Sequence, residues 1–196
     1  MTSRTLETAP RDVAASTSAT PVEESPAERH AHVGKILATL RDVMFLSHSS
    51  GGHSSGGEFP AVSARPLHVT RLDDDHSMWF MVALDSKAVA EIRRHDVVSV
   101  TGHEGARWIH LTGRARVVDD RERVRAVWSK FHEVWFPDGP DDPNVGLVHF
   151  VPEGAEYWDT SGTRGLRYLF ESAKALVTNT RVEPVPGSHG TTGHIS

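Results

Sequence analysis

Residues 108–118 alternate between apolar and polar side chains, and this pattern restricts the possible folds more than any other feature of the chain. Successive side chains of a β-strand point to opposite faces, so the pattern predicts a strand with one face in the core and one at the surface. The predicted inward residues are Ile109, Leu111, Gly113, Ala115 and Val117, and the predicted outward residues are Trp108, His110, Thr112, Arg114 and Arg116.

Short runs rich in valine and aromatic residues predict the other strands. They cover residues 43–46, 61–70, 78–84, 97–103 and 147–151, and residues 156–158 prolong the sheet. Helical spacing predicts helices around residues 33–40, at 86–95, from Val124 to Trp135 and from Leu166 to Leu176. About six mostly antiparallel strands in so short a chain favour a small closed β-barrel with helices packed outside, which is an α+β fold.

Two segments without such patterns flank the predicted barrel. Residues 1–28 are rich in Ala, Ser, Thr, Pro and Glu and lack periodic apolar positions, which predicts a disordered tail. Residues 184–196 contain several glycines and prolines and predict a second, flexible tail. One folded domain is therefore expected at residues 29–183. The Gly-, Ser- and His-rich segment 47–58 is predicted to be a loop, and its role stays open.

Composition excludes several classes of function. The formal net charge of −5 argues against binding to nucleic acids or anionic membranes, because proteins that bind them usually carry an excess of Lys and Arg. The chain has no cysteine, which excludes disulfides, thiol catalysis and Cys-ligated metal sites. No apolar run approaches the roughly 20 residues that cross a bilayer, and no secretory signal is recognisable. We therefore expect a soluble, cytoplasmic protein.

The histidines do not predict a metal site. His48 and His53 lie in the predicted flexible loop, whereas a metal site needs three or four ligands on a rigid frame. The chain also lacks the G-x-S-x-G, Walker and G-x-G-x-x-G motifs. Candidate chemistry must therefore come from other residues.

Arg65 interrupts a strand-like run and precedes Pro66. The proline holds Arg65 in an extended backbone and removes one hydrogen-bond donor from the sheet, which places the arginine at a strand edge. A guanidinium in this position can hold phosphate oxygens in a bidentate manner. A surface arginine on a strand gives the same pattern, so this alternative stays open.

Ser86 and Lys87 lie at the predicted start of a helix. The first backbone N–H groups of a helix lack internal partners and the helix dipole is positive there, so these residues predict a second phosphate contact. A plain helix N-cap with a solvated lysine is the alternative. Aromatic rings for the apolar part of a ligand are available from Trp79, Phe80, Trp108 and Trp158, although a position in the core is the more common explanation for each of them.

Several short motifs follow one another along the predicted domain. The most specific are Trp135-Phe136-Pro137, followed by Asp141-Asp142-Pro143, and Glu156-Tyr157-Trp158-Asp159. The others are Ala64-Arg65-Pro66-Leu67, Met78-Trp79-Phe80, Asp85-Ser86-Lys87 with Val89, Glu91 and Ile92, and Leu111-Thr112-Gly113 with Ala115. In order and spacing they resemble the pyridoxamine 5'-phosphate oxidase-like flavin proteins, and within them the general stress protein 26 group.

The resemblance implies a six-stranded antiparallel split β-barrel that binds FMN at the interface of a homodimer. It implies a flavin-dependent oxidoreductase that acts on a small molecule. The implied phosphate ligands are Arg65, Ser86 and Lys87, and the implied contacts along the ribityl chain and the ring are Ala64, Arg65, Pro66, Leu67, Phe80, Met81 and Val82. Trp108 and Trp158 would contact the flavin of the partner subunit.

Two positions depart from the family pattern. Val82 stands where a threonine is usual and Ala88 where a lysine is common, so two polar contacts are missing. Losses of this kind lower affinity by about 1–3 kcal/mol. Alternatives on the same barrel are the deazaflavin F420 as the ligand, or a non-catalytic module in which flavin only stabilises the dimer. No residue is identified as an obligatory acid or base.

Overall fold

A computed structural model describes residues 25–49, 61–161 and 189–193 of the chain. The helices are α1 (Pro26–Leu37), α2 (Lys87–Arg94) and α3 (Arg121–Val127), and a 3-10 helix at Lys130–Val134 follows α3. The strands are β1 (Asp42–Ser49), β2 (Ala61–His68), β3 (Arg71–Leu72), β4 (Met78–Ala83), β5 (Val97–Glu104), β6 (Arg107–Val118), β7 (Val145–Asp159) and β8 (His189–Gly193).

The strands form one antiparallel sheet that curls into a split barrel. Its order is β2-β1-β5-β6-β7-β4-β3, and β8 pairs with β7. β2 and β4 are not neighbours in this order, yet they approach each other, and the backbone N–H of Thr70 after β2 donates to the carbonyl of Trp79 at 2.8 Å. The predicted antiparallel α+β barrel is confirmed. Within the described residues the sheet has eight strands rather than about six. The two additional strands are β3, which has only two residues, and β8, which lies in the predicted tail.

The core fills the interior of the curled sheet. Ile109, Leu111 and Ala115 of β6 are buried and Trp108 is exposed, so the two predicted faces of this strand are confirmed. α1 and α2 each bury an apolar face against the same core. The largest fully buried aromatic side chains are Phe45, Phe80, Phe150 and Tyr157.

Gly113, on the inward face of β6, lies at a β-bulge where the pairing with β7 shifts by one residue. A β-carbon at Gly113 would overlap the carbonyl oxygen of Val151 and lie 2.8 Å from Cα of Pro152. We expect Gly113→Ala to lower the free energy of unfolding by about 1–2 kcal/mol, as at other overpacked positions. Urea denaturation measures the change, with the exposed neighbour Thr112→Ala as the control. Equal stability of the two variants would contradict this close approach.

One prediction, a single helix from Val124 to Trp135, is wrong. α3 stops after seven residues, and a separate 3-10 helix covers Lys130–Val134. Trp128 and Ser129 between them have extended backbones, and the backbone N–H of Ser129 donates to Nδ1 of His132 at 3.0 Å. Aromatic and serine residues have weak helix propensity, so this local cap competes successfully with continuation of the helix.

Secondary structure extends beyond the predicted domain boundaries. α1 begins at Pro26 behind a capping box of Ser25 and Glu28, so the helix includes three residues of the predicted N-terminal tail. β8 lies within the predicted tail 184–196, where its Gly and Thr residues pair with β7 through the backbone and give no apolar pattern. β1 includes residues 47–49 of the predicted loop. The predicted helix 166–176, and the remainder of the tails and the loop, lie outside the described residues.

Candidate functional site

A cavity of about 350 Å³ opens where β2 and β4 approach each other. It combines one arginine and the start of α2 with several aromatic rings. The lining residues are Asp42, Arg65, Pro66, Leu67, His68, Thr70, Met81, Val82, Ala83, Ser86, Ala88, Phe131, His132, Trp135 and Phe136.

Arg65 lies in the middle of β2, and its guanidinium contacts α2. Nη2 donates to Oε2 of Glu91 at 2.6 Å. Nη1 is buried and has no hydrogen-bond partner among the described residues. A buried donor without a partner is rare in native proteins and costs about 1–3 kcal/mol. This N–H is therefore the first candidate for a contact with a ligand oxygen.

Glu91 is the counter-charge of this arginine and lies on the buried face of α2. Its carboxylate also accepts hydrogen bonds from Oγ of Ser47 at 2.6 Å and from Oγ of Ser63 at 3.0 Å. Burial alone would raise the pKa of Glu91, but the hydrogen bonds from Ser47, Arg65 and Ser63 and the charge of Arg65 lower this pKa from 4.5 to about 2. Glu91 is thus ionised at neutral pH and holds Arg65 in place.

Lys87 reaches the same carboxylate from the first turn of α2. Its Nζ lies 3.5 Å from Oε1 of Glu91 and donates to Oγ of Ser63 at 3.3 Å. Arg65 and Lys87 therefore converge on one carboxylate, which leaves one positive charge over. Ser86 caps α2 by accepting a hydrogen bond from the N–H of Val89 at 3.4 Å, and it also lines the cavity. We call Arg65, Ser86 and Lys87 the cationic cradle.

The structure brings most of the predicted site residues together. Those that line the cavity are Arg65, Pro66, Leu67, Met81, Val82 and Ser86. Lys87 is connected to this group through Ser63 and Glu91. Phe80 and Ala64 do not line the cavity: the ring of Phe80 is buried in the core 5.7 Å from that of Phe45, and Ala64 is exposed elsewhere on β2.

Trp108 and Trp158 lie on the outer face of the sheet and do not line the cavity. They are cross-strand partners in β6 and β7, with exposed fractions of 53% and 42%. His103 stacks on Trp108 with ring centroids 4.3 Å apart, and His189 stacks on Trp158 at 4.9 Å. Four rings therefore form a row across β5, β6, β7 and β8. The contact with a partner subunit's flavin, implied by the resemblance, stays a prediction.

The sequence did not identify two parts of the site. Phe131 and Trp135 lie in the predicted helix from Val124 to Trp135, but the break after α3 leaves them exposed beside the cavity. Glu91 was not assigned a role either. The sequence feature that could have identified Glu91 is a carboxylate next to Ile92 on the apolar face of a predicted helix, a position where an unpaired charge is not expected.

A second cavity, of about 440 Å³, lies between α1 and the end of β7 and contains none of the predicted site residues. His32 and Asp159 form a buried pair there, with Nε2 and Oδ2 2.8 Å apart. Burial alone would raise the pKa of Asp159, but hydrogen bonds from Ser161 and His32 lower it from 3.8 to about 2. Within the described ranges, no group of three or more His, Cys, Asp or Glu residues could hold a metal ion. No helix there is long and apolar enough to cross a bilayer.

Comparison with solved structures shows the same barrel in several other proteins. A protein of Jannaschia sp. CCS1 described as a general stress protein 26 is 24% identical over 85% of this chain and 99% of that chain, with a TM-score of 0.60. General stress protein 26 of Bacillus anthracis str. Sterne is 16% identical over 66% and 92% of the two chains, with a TM-score of 0.55. The general stress FMN/FAD binding protein of Xanthomonas citri is 21% identical over 62% and 82%, with a TM-score of 0.50.

Comparison of the sequence alone identifies the family. No curated protein matches the chain. The family described as pyridoxamine 5'-phosphate oxidase like matches residues 55–183, a range that includes β2 to β7 and both cations of the cradle. This range is more than half of the chain, and its barrel is the one shared with the solved structures. The motifs, the barrel and this match agree, and the chain belongs to the pyridoxamine 5'-phosphate oxidase-like family.

Proposed function

We propose that this chain binds FMN in the cavity between β2 and β4, as a homodimer, and acts as a flavin-dependent oxidoreductase on a small organic molecule. The observation that carries the proposal is Nη1 of Arg65, a buried N–H that has no hydrogen-bond partner among the described residues and belongs to an arginine that lines the cavity. The ion pair with Glu91 holds this arginine in place. A phosphate oxygen would complete the hydrogen bonding of this guanidinium.

The groups around Arg65 fit a phosphate monoester. Arg65 and Lys87 bring two positive charges against the single carboxylate of Glu91. The first turn of α2 adds backbone N–H groups and the positive end of the helix dipole. Val82 and Ala88 offer no polar side chain, so the cationic cradle would supply most of the polar contacts with the phosphate.

The rest of the cavity suits the apolar part of a flavin. Leu67, Met81 and Val82 line it beside the cradle. A relative from Xanthomonas citri is named as an FMN/FAD binding protein, which supports a flavin over other phosphate esters. Trp108 and Trp158 of the partner subunit would cover the ring. Bound flavin would supply the electron transfer, and the protein would bind and orient it.

A titration of the ligand-free protein with FMN, followed by flavin fluorescence, tests the cofactor. FMN is expected to bind at least about tenfold more tightly than riboflavin, which lacks the phosphate, because a charged hydrogen bond contributes about 1.5–3 kcal/mol. A parallel titration with F420 decides between the two cofactors. Equal affinities for FMN and riboflavin, or tighter binding of F420, would contradict the proposal.

The dimer and the turnover are measured separately. Sedimentation equilibrium of the FMN-loaded protein is expected to give twice the chain mass of 21.5 kDa. Mixing this protein with NADPH or NADH under anaerobic conditions, and following the visible absorbance of the flavin, tests its reduction. Bound flavin that neither donor reduces and no acceptor reoxidises would favour the non-catalytic module.

A further inference from the structure

One part of the cavity lining is not used by the cationic cradle. Phe131 and Trp135 pack edge to face with ring centroids 4.8 Å apart, and the ring of His68 in β2 lies 4.5 Å from that of Phe131. We call these three side chains the aromatic shelf. All three line the cavity, yet Phe131 and Trp135 remain 45% and 57% exposed. Two large aromatic surfaces are thus available to a ligand.

The aromatic shelf is separated from the cradle along β2. A strand rises about 3.3 Å per residue, so the backbone of His68 lies about 10 Å from that of Arg65. The apolar residues Leu67, Met81 and Val82 complete the same cavity. A ligand on the shelf would therefore lie beside a molecule anchored at the cradle and would not compete for Arg65.

The shelf is held in a fixed position. His132, buried behind Phe131, accepts a hydrogen bond from the backbone N–H of Ser129 at Nδ1 and lies 3.4 Å from Oγ1 of Thr70 at Nε2. Nδ1 of His68 is 3.0 Å from Oδ1 of Asp42, which fixes the orientation of that ring. Nε2 of His68 makes no hydrogen bond to a described residue, so this atom is open to a polar group of a ligand.

We propose that the aromatic shelf binds a planar, uncharged aromatic molecule with fused rings, the class that includes naphthoquinones. Phe131 and Trp135 supply ring contacts, and the ring of His68 completes the shelf on the side of β2. A role of this molecule as the substrate of the bound flavin rests on the proposed function, whereas its binding to the shelf does not.

Menadione, a planar naphthoquinone, is the probe, and 2-decalone, a saturated bicyclic ketone, is the non-planar control. The chain has no cysteine, so menadione cannot add to a thiol. Saturation-transfer difference NMR titrations use the whole chain with and without FMN. Menadione is expected to bind and 2-decalone is not, and Phe131→Ala and Trp135→Ala are each expected to weaken menadione binding about tenfold.

Val134→Ala is the matched control variant. Val134 lies on the same 3-10 helix and is 75% exposed, but it does not line the cavity, so menadione affinity should not change. Thermal unfolding tests whether each variant is folded. All three are expected to fold, because the side chains of Phe131, Val134 and Trp135 are exposed. Absence of menadione binding, or affinity that none of the shelf variants alters, would overturn the inference.

FMN affinity in the same variants separates this inference from the proposed function. Weaker menadione binding with unchanged FMN affinity supports the shelf as a second subsite. Weaker binding of both ligands would show that the shelf contacts the flavin itself, which overturns the inference and leaves the proposed function standing. Failure of the wild-type protein to bind FMN would overturn the proposed function alone, because menadione binding is also measured without flavin.

Discussion

Replacement of Glu91 by alanine is expected to lower the free energy of unfolding by about 3–5 kcal/mol, the range for removing one partner of a buried ion pair. The substitution leaves the guanidinium of Arg65 without its carboxylate and removes the acceptor of the hydroxyl groups of Ser47 and Ser63. Urea denaturation followed by tryptophan fluorescence measures the difference between the variant and the wild-type protein.

Glu153→Ala is the matched control for this substitution. Glu153 also pairs with an arginine, Arg114, at 3.1 Å, but both side chains are more than half exposed. Exposed ion pairs contribute less than about 1 kcal/mol, so this variant is expected to be nearly as stable as the wild-type protein. Equal losses in the two variants would contradict the role assigned to Glu91.

The pH dependence of stability gives a second readout for Glu91. Its pKa is about 2 in the folded protein and has the ordinary value of 4.5 in the unfolded chain, so the unfolded chain binds more protons between these values. The resulting stabilisation of about 3 kcal/mol is present above pH 4.5 and is lost as the pH falls towards 2. The variant Glu91→Gln should lack this pH-dependent stabilisation. If its free energy of unfolding falls with acid as much as that of the wild-type protein, Glu91 is not the source of the stabilisation.

Arg65→Ala is expected to weaken FMN binding about 100-fold, because the loss of a charged hydrogen bond costs up to about 3 kcal/mol. The affinity is measured by flavin fluorescence at constant ionic strength, since salt screens the contribution of the remaining charges. The same substitution removes the nearest counter-charge of Glu91, so a loss of stability will accompany the loss of affinity.

The double variant Arg65→Ala with Glu91→Ala separates these two effects. In Arg65→Ala the buried carboxylate of Glu91 keeps only the exposed Lys87 as a charged partner, whereas the double variant has no such carboxylate, so the double variant is expected to be more stable than Arg65→Ala alone. Its affinity for FMN should remain as low as that of the single variant, because the donor is absent in both. Recovery of affinity in the double variant would attribute the weakening to repulsion by Glu91, and would place the phosphate away from Arg65.

Local sequence patterns predicted those strands and helices in which buried and exposed residues alternate regularly. The alternation in β6 predicted both faces of the strand. Pro66 singled out Arg65 as a candidate ligand-binding residue, and Arg65 lines the cavity between β2 and β4. Contacts between distant elements were not visible: Glu91 is 26 residues from Arg65 and 44 from Ser47 along the chain. The break after α3 was missed for a related reason, since it depends on one cap formed by Ser129 rather than on periodicity.

The ion pair of Arg65 and Glu91 also determines when the arginine becomes ordered. An arginine side chain loses about 2 kcal/mol of rotamer entropy on immobilisation, and here that loss accompanies folding of the chain rather than arrival of a ligand. A phosphate would therefore meet an arginine whose side chain is already ordered, which lowers the entropy cost of binding. Under the proposed function, the flavin-free protein would consequently be a preorganised receptor for the cofactor.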